Sequence, residues 1–213
     1  MPAAVPGGDV VPGTAALTGR LLPLLSPPVP AAGPWVVAVD GPSGAGKTVL
    51  AGALAAALAA PLLHVEDLYP GWDGLAASVP LLADGVLAPL AAGRPGRYRR
   101  WDWSADAPGA DVEVPPAPLL VVEGVGCGAR AAARWVSRLV WVQAPAGLRR
   151  ERALARDGDA YAPHWERWAA QEARLFAAEG TRGRADVVVD SGSPGGTDGT
   201  GGPGWRLLRP VAG

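Results

Sequence analysis

The sequence has no isoleucine, no asparagine, one cysteine (Cys127) and one lysine (Lys47). A lone cysteine excludes an internal disulfide and a zinc site built from several cysteines, and it suits a reducing compartment. There is no charge excess of either sign: 19 basic residues meet 20 acidic ones, for a net charge of −1 and a pI of about 6.1. The basic surplus typical of a nucleic-acid-binding domain is therefore missing. No apolar run reaches the roughly 20 residues that a membrane span requires. The uncharged stretch from Val49 to Leu63 is shorter than that and contains Pro61. Met1 to Val11 lacks the positive region of a signal peptide. By elimination, the expected location is the cytoplasm, with neither nucleic acid nor membrane as a partner. The sequence sets no oligomeric state.

What is present points to a packed core with long loops at its ends. The 213 residues suit one α/β domain that folds without disulfides. Hydrophobic residues make up 49% and charged residues 18%, against a usual charged share of about 25%. The 30 glycines and 23 prolines supply the loops. Arg fills every basic position except Lys47. We read this as a bias in the coding DNA that spares lysine only where arginine does not serve.

Residues 1–34 read as an N-terminal extension with a short helix from Thr14 to Leu25, capped by Thr14. Trp35-Val-Val-Ala-Val-Asp40 is a continuous apolar strand of the kind buried on both faces of a parallel sheet. A glycine loop follows, then an Ala/Leu helix from Lys47 to Ala59. Further strands are expected at Leu62–Val65, Leu119–Glu123, Leu139–Gln143 and Ala185–Asp190, with a last one at Trp205–Leu208. Helices are expected over Leu75–Ala92, broken by Pro80 and Pro89, and over Gly147–Arg156 and Trp165–Glu179. Residues 93–118 show no period and read as irregular; Ser191 to Gly204 reads as a loop. Strands alternating with helices imply an α/β fold with right-handed crossovers. The main domain spans 35–190, and residues 191–213 pack on it.

Gly41-Pro-Ser-Gly-Ala-Gly-Lys-Thr48 matches G-x-x-x-x-G-K-[ST] in full, between a buried strand and an apolar helix. Each part has a physical task. The glycines let the chain turn tightly and bring backbone N–H groups onto phosphate oxygens. The helix that starts near Lys47 adds its positive end. The Lys47 ammonium reaches the β/γ-phosphates and the Thr48 hydroxyl ligates Mg²⁺. The expected nucleotide-binding set is Gly41, Ser43, Gly44, Ala45, Gly46, Lys47, Thr48 and Val49, with Arg149 from further along the chain. The expected cofactors are ATP and Mg²⁺. A guanine-reading Asn-Lys-x-Asp element is impossible here, and a transporter signature Leu-Ser-Gly-Gly-Gln is absent. What remains is a compact kinase for a small molecule.

The chain resembles the uridine kinase/phosphoribulokinase-like group of phosphate-loop kinases over most of residues 35–190. The likeness rests on the phosphate loop, on Val65-Glu-Asp-Leu-Tyr-Pro-Gly-Trp72, on Val121-Val-Glu-Gly124 and on the arginine-rich run Arg149 to Asp157. It implies a P-loop NTPase fold: a parallel five-stranded sheet, helices on both faces, and a small arginine-bearing lid over about 145–183. It also implies a carboxylate after the second strand that takes the acceptor's proton. Counting back from Tyr69 puts the family's Asp on Glu66, with Asp67 beside it; one is expected to act and the other to help. Glu123, at the end of a central strand, is placed to hold the Mg²⁺ shell or a substrate hydroxyl.

Arg149, Arg152 and Arg156 are spaced to share a helix face, and the resemblance carries such lid arginines onto the transferring phosphate. Arg150 and Asp157 on the other face are expected to pair. Arg182 and Arg184 are weaker lid candidates. Tyr69, Trp72, Tyr98, Arg100, Trp101 and Asp102 fall beside the expected acceptor region, where flat rings can stack on a base and polar groups can bind sugar hydroxyls. His64 and His164 stand alone and read as structural, and no base is visible for Cys127. The expected partner is a small-molecule acceptor, a nucleoside first. The alternatives are a nucleoside monophosphate, a vitamin precursor, a sugar phosphate or an antibiotic. A module that binds ATP without transferring phosphate is the alternative of another class.

Overall fold

The computed structural model describes residues 10–27, 33–192 and 204–209. In chain order the strands are β1 (Val10–Val11), β2 (Trp35–Asp40), β3 (Leu62–His64), β4 (Gly96–Asp102), β5 (Ala107–Val114), β6 (Leu119–Glu123), β7 (Arg138–Gln143), β8 (Val187–Asp190) and β9 (Trp205–Arg209). The helices are α1 (Gly13–Leu25), α2 (Lys47–Ala57), α3 (Leu75–Leu82), α4 (Ala88–Ala91), α5 (Arg130–Ala133), α6 (Ala146–Tyr161), α7 (Trp165–Glu179) and α8 (Thr181–Arg184). Among the described residues no helix is long and apolar enough to cross a membrane.

β2, β3, β6, β7 and β8 run parallel, as the uninterrupted Val/Leu runs predict. The central sheet is nevertheless not the five-stranded parallel sheet expected. It has seven strands in the order β1-β9-β8-β7-β2-β6-β3, and β9 and β1 extend one edge antiparallel. The alternation of side chains along β2 divides the core. Val37 and Val39 face α1 and α2 with Leu17, Leu21, Leu50 and Leu54. Val36 and Ala38 face the other layer with Leu68, Leu75, Leu87 and Trp168. Trp205 of β9 is fully buried, and its indole N–H donates to the Thr14 hydroxyl at 3.2 Å. Thr14 therefore ties α1 to β9; it does not cap the helix, which starts at Gly13 after Pro12.

Pro80 and Pro89 deflect the helical path from Leu75 to Ala91 without ending it. A π-turn at Ala83–Leu87 joins α3 to α4, and Pro89 falls in the first turn of α4, where no N–H is needed. Residues 93–118 are not irregular. They hold the β4–β5 antiparallel hairpin, with a register shift between Arg99 and Trp101. The bulge leaves Arg99 and Arg100 both exposed and breaks the alternation that would reveal a strand. Most of the expected loop at 191–204, residues 193–203, lies outside the described residues.

Candidate active site

The loop after β2 sits at the carboxyl end of the sheet, between β6 and β7. Its glycines are required by space as well as by conformation. Gly41 has φ +142°, and a Cβ there would lie 2.0 Å from the Val142 carbonyl oxygen. Gly44 has φ +75°, and a Cβ would lie 2.1 Å from the Arg149 carbonyl oxygen. The N–H groups of Gly44 and Gly46 meet no acceptor among the described residues, so two donors stand ready at the start of α2. Lys47 is only 8% exposed, and its ammonium crosses the loop to the Pro42 carbonyl oxygen at 3.1 Å. This cradle of open amides, tight glycines and one ammonium fits a phosphate chain.

Asp40, which precedes the loop and whose role no motif reveals, is fully buried. Its carboxylate accepts N–H bonds from Gly41 (2.7 Å), Gly126 (3.0 Å) and Gly128 (2.9 Å), joining the phosphate loop to the glycine turn after β6. Burial raises its pKa to about 6, against the pull of those three amides and of Lys47. Asp40→Asn turns an amide NH₂ against one of these donors. It should lower stability by about 1–3 kcal/mol, read as a fall in the midpoint of chemical unfolding.

Glu123 lies at the end of β6, only 3% exposed. Its Oε1 accepts the Thr48 hydroxyl at 3.2 Å and a bond from His64 Nδ1 at 2.7 Å. His64 is thus not the lone histidine expected; its pKa is raised first by that hydrogen bond to Glu123. The oxygen pair of Thr48 and Glu123 suits a hard cation such as Mg²⁺, which takes few protein ligands and completes its shell with water and phosphate. Among the described residues no group of three His, Cys, Asp or Glu side chains forms a self-sufficient metal site.

A cleft of about 680 Å³ opens beside Lys47 and Thr48. Glu66 and Asp67, adjacent in sequence, part company in a 3₁₀ turn after β3. Glu66 lines the cleft. It remains solvent-accessible, yet the surrounding protein desolvates its carboxylate and raises its pKa, while the Arg156 charge opposes the rise. Asp67 turns to the hairpin, where Arg100 (2.7 Å) and the Tyr98 hydroxyl (3.2 Å) donate to it. Tyr98, Arg100, Trp101 and Asp102 do not line the cleft. Asp102 instead holds the hairpin turn, accepting from the Ser104 hydroxyl and from the N–H groups of Ser104 and Ala105. Arg97 pairs with Glu113, and Arg99 donates to the Gly109 carbonyl oxygen.

Aromatic rings from three separate segments line part of the cleft. Trp72 follows the 3₁₀ turn, Trp103 lies in the hairpin turn after β4, and Tyr161 and Trp168 belong to α6 and α7. Trp72 stacks on His164 (4.2 Å) and Tyr161 (5.3 Å) and meets Trp103 at 4.8 Å. Tyr69 packs on Trp168 at 4.9 Å, and its hydroxyl donates to the Val125 carbonyl oxygen. His164 is therefore part of this cluster and not isolated, whereas Cys127 is buried away from the cleft.

The arginines of α6 divide their work. Arg152 and Arg156 line the cleft. Arg152 donates to the Ser191 hydroxyl and carbonyl oxygens at 2.8 and 3.0 Å. Arg156 forms a two-point pair with Asp157, so the expected Arg150–Asp157 pair gives way to this one. Arg149 donates to the carbonyl oxygens of Ser43 and Ala144 and braces the loop from outside. Arg182 binds Gln143, and Arg184 binds the carbonyl oxygens of Gly128 and Glu179; neither lines the cleft.

Solved structures share this fold. A possible uridine kinase from Bacillus stearothermophilus superposes with a TM-score of 0.57 at 20% identity, covering 82% of this chain and 96% of that one. The D-glycerate 3-kinase from Cryptococcus neoformans var. grubii gives 0.51 at 14% identity, covering 83% and 94%. The fold is that of the phosphate-loop kinases. In sequence, no family model and no curated protein matches the chain.

Proposed function

We propose that the chain is an ATP- and Mg²⁺-dependent kinase that moves the γ-phosphate to a hydroxyl of an unphosphorylated, ring-bearing small molecule, with a nucleoside as the best fit. One observation carries this reading: a carboxylate, Glu66, and an ammonium, Lys47, share a cleft that is partly lined by aromatic rings. The loop amides and Lys47 hold the triphosphate. Glu66 accepts the proton from the acceptor hydroxyl while its oxygen bonds to the γ-phosphorus and the bridge to the β-phosphate breaks. Arg152 and Arg156 lie where they neutralise charge that grows on the transferring group. Thr48 and Glu123 are the residues that would hold Mg²⁺, which when bound neutralises charge on the β- and γ-oxygens.

An acceptor already carrying phosphate would need free cations at the acceptor end. The candidate cations are the cluster Arg94 to Arg100; Arg97, Arg99 and Arg100 are engaged on the hairpin, and Arg94 does not line the cleft. Flat aromatic surfaces favour a ring-bearing acceptor, and the likeness to a possible uridine kinase leans toward a nucleoside. A panel of nucleosides, monophosphates, sugar acids and aromatic alcohols assayed with labelled ATP tests this. Turnover of an unphosphorylated ring compound is the expected result. Turnover of monophosphates alone would sink the acceptor assignment, and ATP binding with no transfer to any panel member would favour a sensing module.

A further inference from the structure

Glu172 sits on the apolar stripe of α7, four residues after Trp168 and seven after Trp165, and is only 3% exposed. A carboxylate buried at a core position is costly unless it is well partnered. Its neighbours on the stripe are apolar, so packing alone does not call for an acid there. What the acid adds is a contact 129 residues away: its Oε1 accepts the Ser43 N–H at 2.8 Å and the Trp168 indole N–H at 3.0 Å. Arg149 lies 3.8 Å from its Oε2.

Ser43 is held by the lid at each of its polar atoms. Its N–H goes to Glu172, its carbonyl oxygen accepts from Arg149 at 3.1 Å, and its hydroxyl accepts from the Trp168 indole at 3.1 Å. The Tyr161 hydroxyl also hydrogen-bonds that side chain. The backbone of Arg149 overlies Gly44, the next residue of the loop. Both lid helices thus converge on one residue of the phosphate cradle. A negative charge beside a polyanion seat opposes binding by Coulomb's law. Any benefit Glu172 brings to the seat must therefore be geometric.

We propose that Glu172 is a positioning residue that couples the lid to the phosphate loop. By binding the Ser43 N–H outward, it fixes the turn that leaves the Gly44 and Gly46 amides open to phosphate, and it ties α7 to the loop's state. This rests on the reading of the loop as a nucleotide seat. Coupling is reciprocal: a nucleotide that orders the loop steadies α7, and loss of the tie weakens the nucleotide.

Calorimetric titration with Mg·ADP, joined to amide hydrogen exchange of the full chain, tests the coupling. Glu172→Ala should weaken Mg·ADP about tenfold, the effect of one ordinary hydrogen bond. Glu172→Gln keeps an acceptor for both N–H groups and should stay within about threefold of the parent. In the parent chain Mg·ADP should slow exchange over residues 170–179, which do not line the cleft; in Glu172→Ala it should not. A Glu172→Ala chain that melts lower yet binds Mg·ADP like the parent overturns the coupling and leaves Glu172 a packing pin. If that variant fails to fold, the parent decides: binding without slower exchange at 170–179 overturns the proposal. A parent that binds no adenine nucleotide removes the nucleotide reading and the coupling with it, whereas intact parent binding with unaltered variant affinity removes the coupling alone.

Discussion

Replacing Lys47 by Ala should lower phosphoryl transfer by about 10³-fold or more while the fold survives. The side chain is buried across the loop, 3.1 Å from the Pro42 carbonyl oxygen. It is the only lysine in a chain that otherwise uses arginine. Alanine is a better helix former at this first position of α2, so helix stability does not suffer. Lys47→Arg should not rescue activity, because a planar fork does not replace a compact ammonium in a seat this tight. Steady-state turnover together with a thermal melt checks both points. A Lys47→Ala chain with near-parental turnover would remove the loop from the chemistry.

The second large effect is expected at Glu66. Glu66→Gln should cost about 10²–10⁴ in kcat, the usual weight of a general base. Asp67→Asn should cost only a few-fold, because Asp67 is engaged by Arg100 and Tyr98 on the hairpin side. The base works only when ionised. Burial lifts the Glu66 pKa above its ordinary 4.5, so kcat should fall as pH drops through that raised value. Glu66→Gln should flatten this acidic limb, and Asp67→Asn should leave it in place. A pH–rate profile of the three proteins gives the answer; equal, small losses in both variants would take the pair out of catalysis.

Much of the fold is legible in the sequence because the central strands are runs of apolar residues with no polar interruption. The phosphate loop is legible because its chemistry dictates residue type position by position. The antiparallel edge is legible only in part: β9 forms where a strand at Trp205–Leu208 is expected, but β1 is only two residues long and nothing in the sequence sets the direction of either. The hairpin hides because a bulge at Arg99–Trp101 shifts its phase. Adjacent carboxylates at 66 and 67 look alike in sequence; a 3₁₀ turn separates them by pointing successive side chains in different directions. Asp40 and Glu172 did leave signals. One is an acid ending a wholly apolar strand, and the other is an acid on the stripe of Trp165, Trp168 and Phe176. Their partners lie 86 to 129 residues away, and spacing within a segment does not reveal such pairs. Likewise, the aromatic lining of the cleft joins Trp72, Trp103, Tyr161 and Trp168 from three segments that only the folded chain brings together.

The measurement closest to the core of this account is calorimetric titration of the pure chain, in magnesium buffer, with a non-hydrolysable ATP analogue. One-to-one binding with a dissociation constant below millimolar, lost in Lys47→Ala, is the predicted result. No heat of binding from the intact, folded chain at millimolar analogue would contradict it.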